Sequence, residues 1–254
     1  MTLAFDLPPA ADSALSRMDP RWKLAALVPA AVLLALVRTS PVAAGAFALA
    51  LLLAELARLP RAWLWRRLAW TALLLALFLV WLLFLPDPHG AVFRVVGCDI
   101  SQAGLERFAA VTLKTLAVVT LMLIVLATAP LHDTLKAAQC LHVPGLFVQL
   151  ALLTLRYVFL LAEEFVRLRT ALRVRGFRNR ADMHSWRTVG KAAGTLLVRG
   201  SERAERVSQA MHCRGFDGTF RSLHDFQTQW LDVVCWAAIL LAAGALLGWD
   251  VWRR

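Results

Sequence analysis

Six apolar runs punctuate the chain, and one long amphipathic stretch separates the fifth run from the sixth. Trp22–Val37 is apolar, Arg38-Thr39-Ser40-Pro41 turns it, and Pro41–Ala57 is apolar again, which predicts a helical hairpin. Both arms lie near the lower limit for crossing about 30 Å of hydrocarbon, and Pro29 is placed to kink the first. Leu68–Leu85 predicts a third span that ends at Pro86-Asp87-Pro88-His89-Gly90, and Phe108–Ala129 predicts a fourth that ends at Pro130. Trp230–Trp249, with tryptophans at both ends, predicts a last span with Asp232 near its inner end and the Asp250–Arg254 tail outside. The amphipathic stretch runs from about Thr188 to Arg214. There Val189, Ala193, Leu196, Gly200, Ala204, Val207 and Met211 recur at intervals of three and four, the period of one helix face.

The remaining run, Gly145–Ala162, decides the topology. It carries Arg156 and continues without a break into Glu163-Glu164-Phe165-Val166-Arg167-Leu168-Arg169. If it crossed, the segment from Glu163 to Arg221, with thirteen Lys or Arg and six Asp or Glu, would be exported. That would violate the tendency of cytoplasmic loops to collect Lys and Arg. The expectation is therefore one long helix from about Pro144 to Arg175 that does not cross, giving five spans, or six if it does. Arg58, Arg61, Arg66 and Arg67, interleaved with Trp63 and Trp65, mark another cytoplasmic boundary.

Composition agrees with this pattern. Of 254 residues 59% are hydrophobic, there are ten tryptophans against one tyrosine, and the mean hydropathy is +0.62. This is the composition of an integral membrane protein. The formal net charge of +11 raises nucleic acid as a partner, but cationic cytoplasmic loops account for it, and no nucleic acid is expected. Cys98, Cys140, Cys213 and Cys235 show neither CxxC pairing nor metal-ligand spacing and read as free thiols. The first residues, with Asp6, Pro8, Pro9 and Asp12, lack the pattern of a cleaved signal. The N-terminus is expected to be retained and cytoplasmic, with Arg17, Arg21 and Lys23 beside the first span.

The two long helical patterns after Pro144 end in the same triplet, Arg175-Gly176-Phe177 and Arg214-Gly215-Phe216. A cation followed by glycine is what a helix C-terminus takes, so a single copy is an ordinary helix stop. Two matching copies present two arginines at two helix ends. Gly190 and Gly194 lie four apart, a spacing that permits close helix crossing, and Gly200 continues that small-residue face. Plain internal packing is the alternative for those three glycines.

These pieces resemble the transmembrane coupling (T) component of energy-coupling-factor transporters, and within it the cobalt-type CbiQ proteins. The resemblance is carried by Met18-Asp19-Pro20-Arg21-Trp22-Lys23-Leu24, by Ala129-Pro130-Leu131-His132-Asp133-Thr134-Leu135 leading to Leu141-His142-Val143-Pro144, and by Leu155-Arg156-Tyr157-Val158-Phe159-Leu160 with Glu163-Glu164. It is completed by the two Arg-Gly-Phe triplets, the second followed by Asp217-Gly218. The family pattern is a pair of Ala-Arg-Gly triplets; here Val174 and Cys213 stand where alanine is usual.

The resemblance implies an all-α integral membrane protein with about five transmembrane helices and two long cytoplasmic coupling helices. Its regions would be 1–129 with four spans, 130–229 as the coupling region, and 230–254 as the final span and tail. It implies a non-catalytic subunit of an ATP-driven uptake system in the bacterial inner membrane, with no cofactor in this chain and ATP on partner subunits. Arg175 and Arg214 would dock in two ATP-binding cassette ATPases, Gly176 and Gly215 would let those helix ends approach closely, and Gly190, Gly194 and Gly200 would serve the crossing. The further partners would be a substrate-binding membrane subunit, a small accessory membrane subunit and the lipid bilayer. Cobalt is the substrate implied first, then nickel or a vitamin.

Other motifs carry less. Gly190-Lys191-Ala192 lacks the glycine spacing and following Ser or Thr of a phosphate loop. His132, Asp133 and His142 do not share a ligand face, so no metal site is assigned. Asp217-Gly218-Thr219-Phe220-Arg221 is a fragment of a lipid phosphotransferase motif without its alanine or second acidic pair. A lipid-phosphate enzyme would need converging carboxylates or histidines. A self-contained secondary transporter would need interrupted helices and midplane charges in two related halves. Arg156 fits a helix at the membrane edge, its guanidinium toward headgroups, better than a pathway charge.

Overall fold

In a computed structural model of the chain, the described residues are 13, 15, 18–83, 92–95, 98–141, 143–178, 180, 182–216 and 228–253. Residues 1–12, the turn at 86–90, His142 and the Asp217-Gly218 motif therefore lie outside them. Two compact units divide the chain, Met1–Leu141 with Asp225–Arg254, and His142–His224.

The first unit is built from α1 (Pro20–Ala35), α2 (Ser40–Leu56), α3 (Arg61–Leu83), α4 (Gln102–Thr128), α5 (Leu131–Cys140) and α8 (Trp230–Trp252). Its core is dominated by small residues: Ala26, Ala30 and Ala31 of α1, Ala46, Ala50 and Ala54 of α2, Ala117 of α4 and Ala243 of α8, filled in by Leu27, Leu34, Leu121 and Ile124. Alanine faces let helix backbones come close, which is how helices pack where lipid supplies no hydrophobic contrast. Gly45 is one such approach, since a Cβ there would stand 3.3 Å from Leu246 Cδ2 of α8. Two of these helices begin at start signals readable in the sequence. Pro20 follows Asp19, whose Oδ1 accepts from Arg21 N at 2.9 Å, and Pro41 lies in the first turn of α2.

The structure departs from the sequence reading in three places in this unit. A two-stranded antiparallel hairpin, β1 (Val92–Val95) with β2 (Cys98–Ser101), pairs Val92 with Ser101 and Val95 with Cys98, where an all-α fold is expected. A short helix, α5, follows Pro130. Residues 250–252 of the expected tail form the last turn of α8, and Asp250 is fully buried there. Its carboxylate accepts from Arg38 N at 3.3 Å, Thr39 N at 3.0 Å and the Thr39 hydroxyl, so it caps the corner between α1 and α2.

The second unit is a helical pair, α6 (Gly145–Val174) and α7 (Met183–Cys213). The predicted helix to Arg175 is found; the second begins five residues before Thr188. Ser185 is buried in that added turn, its hydroxyl 3.4 Å from both Arg178 O and Arg180 N.

The protein is a multi-pass membrane protein. Among the described residues, Glu106–Thr128 within α4, α6 and α8 are the helices long and apolar enough to cross. At 16 and 17 residues, α1 and α2 reach about 24–26 Å, short of a full hydrocarbon core.

Candidate functional site: two helix-end arginines

The stripe read from the sequence, Val189 to Met211, is the face of α7 that meets α6. Val189, Ala193 and Leu196 line a groove with Phe165, Leu168 and Leu172 of the second half of α6. Gly200, Ala204, Val207 and Met211 line another with Leu150, Leu153, Tyr157 and Leu161 of its first half. The helices therefore run antiparallel. Between the grooves, Glu164 of α6 pairs with Arg199 of α7, and its other oxygen is 4.0 Å from Arg203. This ion pair joins residues 35 apart in the chain. No sequence signal pointed to it.

Both helices stop in the same way. At the end of α6, Phe177 N donates to Leu172 O and Gly176 N to Arg173 O, both at 3.0 Å. At the end of α7, Phe216 N donates to Met211 O at 3.1 Å and Gly215 N to His212 O at 3.0 Å. Each is a complete Schellman motif, in which the glycine adopts the left-handed conformation and the following apolar residue folds back on the last turn. Gly176 has φ +77° and Gly215 φ +76°. Phe177 lines the groove with Leu172, and Phe216 lines the other with Met211, as the motif's apolar contact requires.

Consequently Arg175 and Arg214 occupy equivalent positions, the last residue before the glycine, and both are exposed. Among the described residues neither guanidinium has a hydrogen bond or ion pair. Arg214 lines a shallow groove with Leu153, Arg156 and Tyr157, while Arg175 lies nineteen residues beyond Arg156 on the same helix. At the α-helical rise this separates the two corners by about 28 Å. A guanidinium presents a fork of donors suited to carboxylates or carbonyls of a partner. The site can therefore grip a carboxylate or carbonyl.

The glycines divide by role. A Cβ at Gly176 or Gly215 would meet nothing within 4 Å, so within the chain their requirement is the positive φ rather than a tight approach. At Gly190, Gly194 and Gly200 a Cβ would also stand in open space. The close crossing expected there is not formed within the pair, which meets through the Glu164–Arg199 ion pair and larger side chains. His132 is exposed on α5, and among the described residues no cluster of three His, Cys, Asp or Glu side chains is assembled. Cys140, Cys213 and Cys235 are exposed free thiols.

A family model described as cobalt transport protein, CbiQ, matches residues 11–225. The chain belongs to the CbiQ family. Among curated relatives, the cobalt transport protein CbiQ of Rhodobacter capsulatus is 30% identical over 128 residues, covering 50% of this chain and 52% of its own. The nickel permease LarQ of Lactiplantibacillus plantarum is 25% identical over 122 residues, covering 48% and 44%. An uncharacterized protein of Methanocaldococcus jannaschii is 26% identical over 122 residues, covering 48% and 45%. The matches thus span about half the length of these curated relatives.

The residues 18–24 that carry part of the CbiQ resemblance build a buried polar cluster. Lys23, read from sequence as an interfacial cation, is only 2% exposed. Its Nζ donates to Thr128 O at the end of α4, 3.3 Å away, with the carboxylates of Asp19 and Asp232 in electrostatic reach. Asp232 Oδ2 also accepts from Gln229 N at 3.0 Å, closing a capping box on α8. Trp22 stacks edge-on against Trp236 at 5.7 Å, and the Trp236 indole donates to Ala25 O at 3.1 Å. Three helix ends are tied together there.

Proposed function

We propose that this CbiQ-family chain is the membrane coupling subunit of an ATP-driven uptake transporter for a divalent metal ion, cobalt first. The observation that carries the reading is the pair of matching Schellman corners, each presenting an exposed arginine, unpaired among the described residues, about 28 Å from the other on one helical pair. That arrangement suits docking into two separate grooves. Arg175 and Arg214 bind two ATP-binding cassette ATPases, Gly176 and Gly215 fix the corners, and α6 and α7 pass the ATPase motion to a substrate-binding membrane subunit, with a small accessory membrane subunit as a further partner. ATP and its hydrolysis belong to the partners, and this chain holds no cofactor.

Five spans cross the bacterial inner membrane, within 22–37, 41–57, 68–85, 108–129 and 230–249. α6 lies along the cytoplasmic side, as its charged second half and Arg156 favour, and the N-terminus is cytoplasmic. Nickel is the second substrate reading, favoured by the similarity to a protein named nickel permease.

The test is a detergent pull-down of the protein co-expressed with its neighbouring ATPase, wild type against Arg175→Glu with Arg214→Glu. Loss of the ATPase from a double variant that still inserts and elutes monodisperse is expected. Retention at the wild-type level would reduce the triplets to helix stops. Metal uptake by the intact system, with cobalt and nickel compared, assigns the ion.

A further inference from the structure

The corner between α2 and α3 lies far in sequence from the arginine corners and collects four arginines in ten residues, Arg58, Arg61, Arg66 and Arg67. They are not equivalent. Arg61 is held by Glu55 through two 3.0 Å bonds, Nε to Oε1 and Nη2 to Oε2, so the nearby carboxylate is already engaged. The Arg67 guanidinium lies over the Trp63 ring, 4.6 Å from its centroid. Stacking uses the face of the guanidinium and leaves its in-plane N–H edge free to donate. Arg66 is exposed and has no partner among the described residues. The first turn of α3 contains no acid that could pair with Arg66 or Arg67.

Below the cations the same helix presents an unbroken apolar surface. Trp70, Leu73, Leu74 and Leu77 are exposed by 60–78%, and with Arg66 they recur at intervals of three and four on one face, while Trp65, 56% exposed, flanks it. Leu77 lies eleven residues from Arg66, about 16 Å along the axis, which is about half the hydrocarbon thickness. A cation pair and exposed indoles at one end, with a side-chain path reaching toward midplane, match a ligand that carries a phosphate at one end and hydrocarbon at the other.

We propose that this corner is a binding site for an acidic phospholipid, Arg66 and Arg67 holding the headgroup phosphate while an acyl chain lies along Trp70, Leu73 and Leu77. Free phosphate shares the headgroup chemistry but gives no role to the apolar face, whereas an acidic phospholipid uses both the Arg66 and Arg67 donors and the exposed Trp70, Leu73 and Leu77.

The experiment is native mass spectrometry of the purified full chain in detergent, equilibrated with phosphatidylglycerol, cardiolipin or phosphatidylcholine of matched acyl chains. Wild type is compared with Arg66→Gln/Arg67→Gln and with the charge-matched control Arg167→Gln/Arg169→Gln. The expected result is preferential retention of the acidic lipids, lowered about 25-fold in the first variant, each surface cation contributing about fivefold, and unchanged in the control. Excess inorganic phosphate should leave the lipid bound.

Equal retention by the first variant, equal loss in the control, no headgroup preference, or displacement by inorganic phosphate would each overturn the proposal. So would a co-purifying protein whose retention, rather than the lipid's, depends on Arg66 and Arg67. If the glutamine pair does not fold, Arg66→Leu/Arg67→Leu carries the test: it removes the charge and the donors while keeping an apolar side chain, and retention of the acidic lipids at the wild-type level would refute phosphate recognition.

Discussion

Two groups of glycines in the second unit should respond to alanine with opposite sign. In an α-helix interior, Gly→Ala gains about 0.8–1 kcal/mol. Gly190, Gly194 and Gly200 lie inside α7, and an added methyl at each meets no atom within 4 Å, so no steric cost offsets that gain. The triple variant should stabilise α7 by about 2–3 kcal/mol. Gly176→Ala and Gly215→Ala should do the reverse, because φ of +77° and +76° costs an alanine about 1–2 kcal/mol each. Space is equally open there, so the whole loss is backbone strain, and Gly215→Asn should recover part of it. Hydrogen exchange of α7 amides reads both effects. A gain of 2–3 kcal/mol slows local opening about 50-fold, whereas the corner variants should speed exchange in the last turns of α6 and α7. Faster exchange across α7 in the triple alanine variant would refute the reasoning and mean that the glycine face is packed. Normal exchange with loss of ATPase retention would place a partner on that face.

Three further outcomes follow from the buried and bridging charges. Lys23→Met should lower stability by about 3 kcal/mol, because it leaves the buried Asp19 and Asp232 carboxylates uncompensated. Adding Asp232→Asn should recover part of the loss in a thermal melt followed by tryptophan fluorescence. Asp250→Ala should cost about 3 kcal/mol in the same melt, since it strands the Arg38 and Thr39 N–H donors, and Asp250→Asn about 1 kcal/mol. Glu164→Arg combined with Arg199→Glu should be more stable than the sum of the single changes by about 0.5–1 kcal/mol, modest because Arg199 is half exposed. A coupling of zero would remove the ion pair as the pin of the helical pair.

What the sequence revealed was whatever repeats with a helical period or sits at a helix end. All seven stripe positions from Val189 to Met211 face α6, and both Arg-Gly-Phe triplets close as helix caps, because periodicity and cap chemistry are local. What it hid depends on partners distant in the chain. Asp250 reads as part of a polar tail until α8 brings it to Thr39, 211 residues away, and Lys23 reads as a surface cation until the end of α4 covers it. Likewise the glycine spacing at 190 and 194 matches a crossing motif, yet the helical approach is made at Gly45 against Leu246. A small-residue interval says that a close contact is permitted, and only the fold says where one is made.

The design of the second unit separates the position of each arginine from the packing of the helical pair. The most apolar stretch of α6 is almost wholly unburied, so tertiary contacts within this unit hold little. The corners do not depend on them: the two N–H donors beyond each helix return to carbonyls of that same helix, and Phe177 and Phe216 fold onto residues five before them. Each arginine therefore follows its own helix as a rigid body. A change in the angle between α6 and α7 about the Glu164 contact alters the separation of Arg175 and Arg214 without unmaking either corner. If the corners dock partner subunits as proposed, each can stay engaged with a moving partner while the helix behind it carries the displacement.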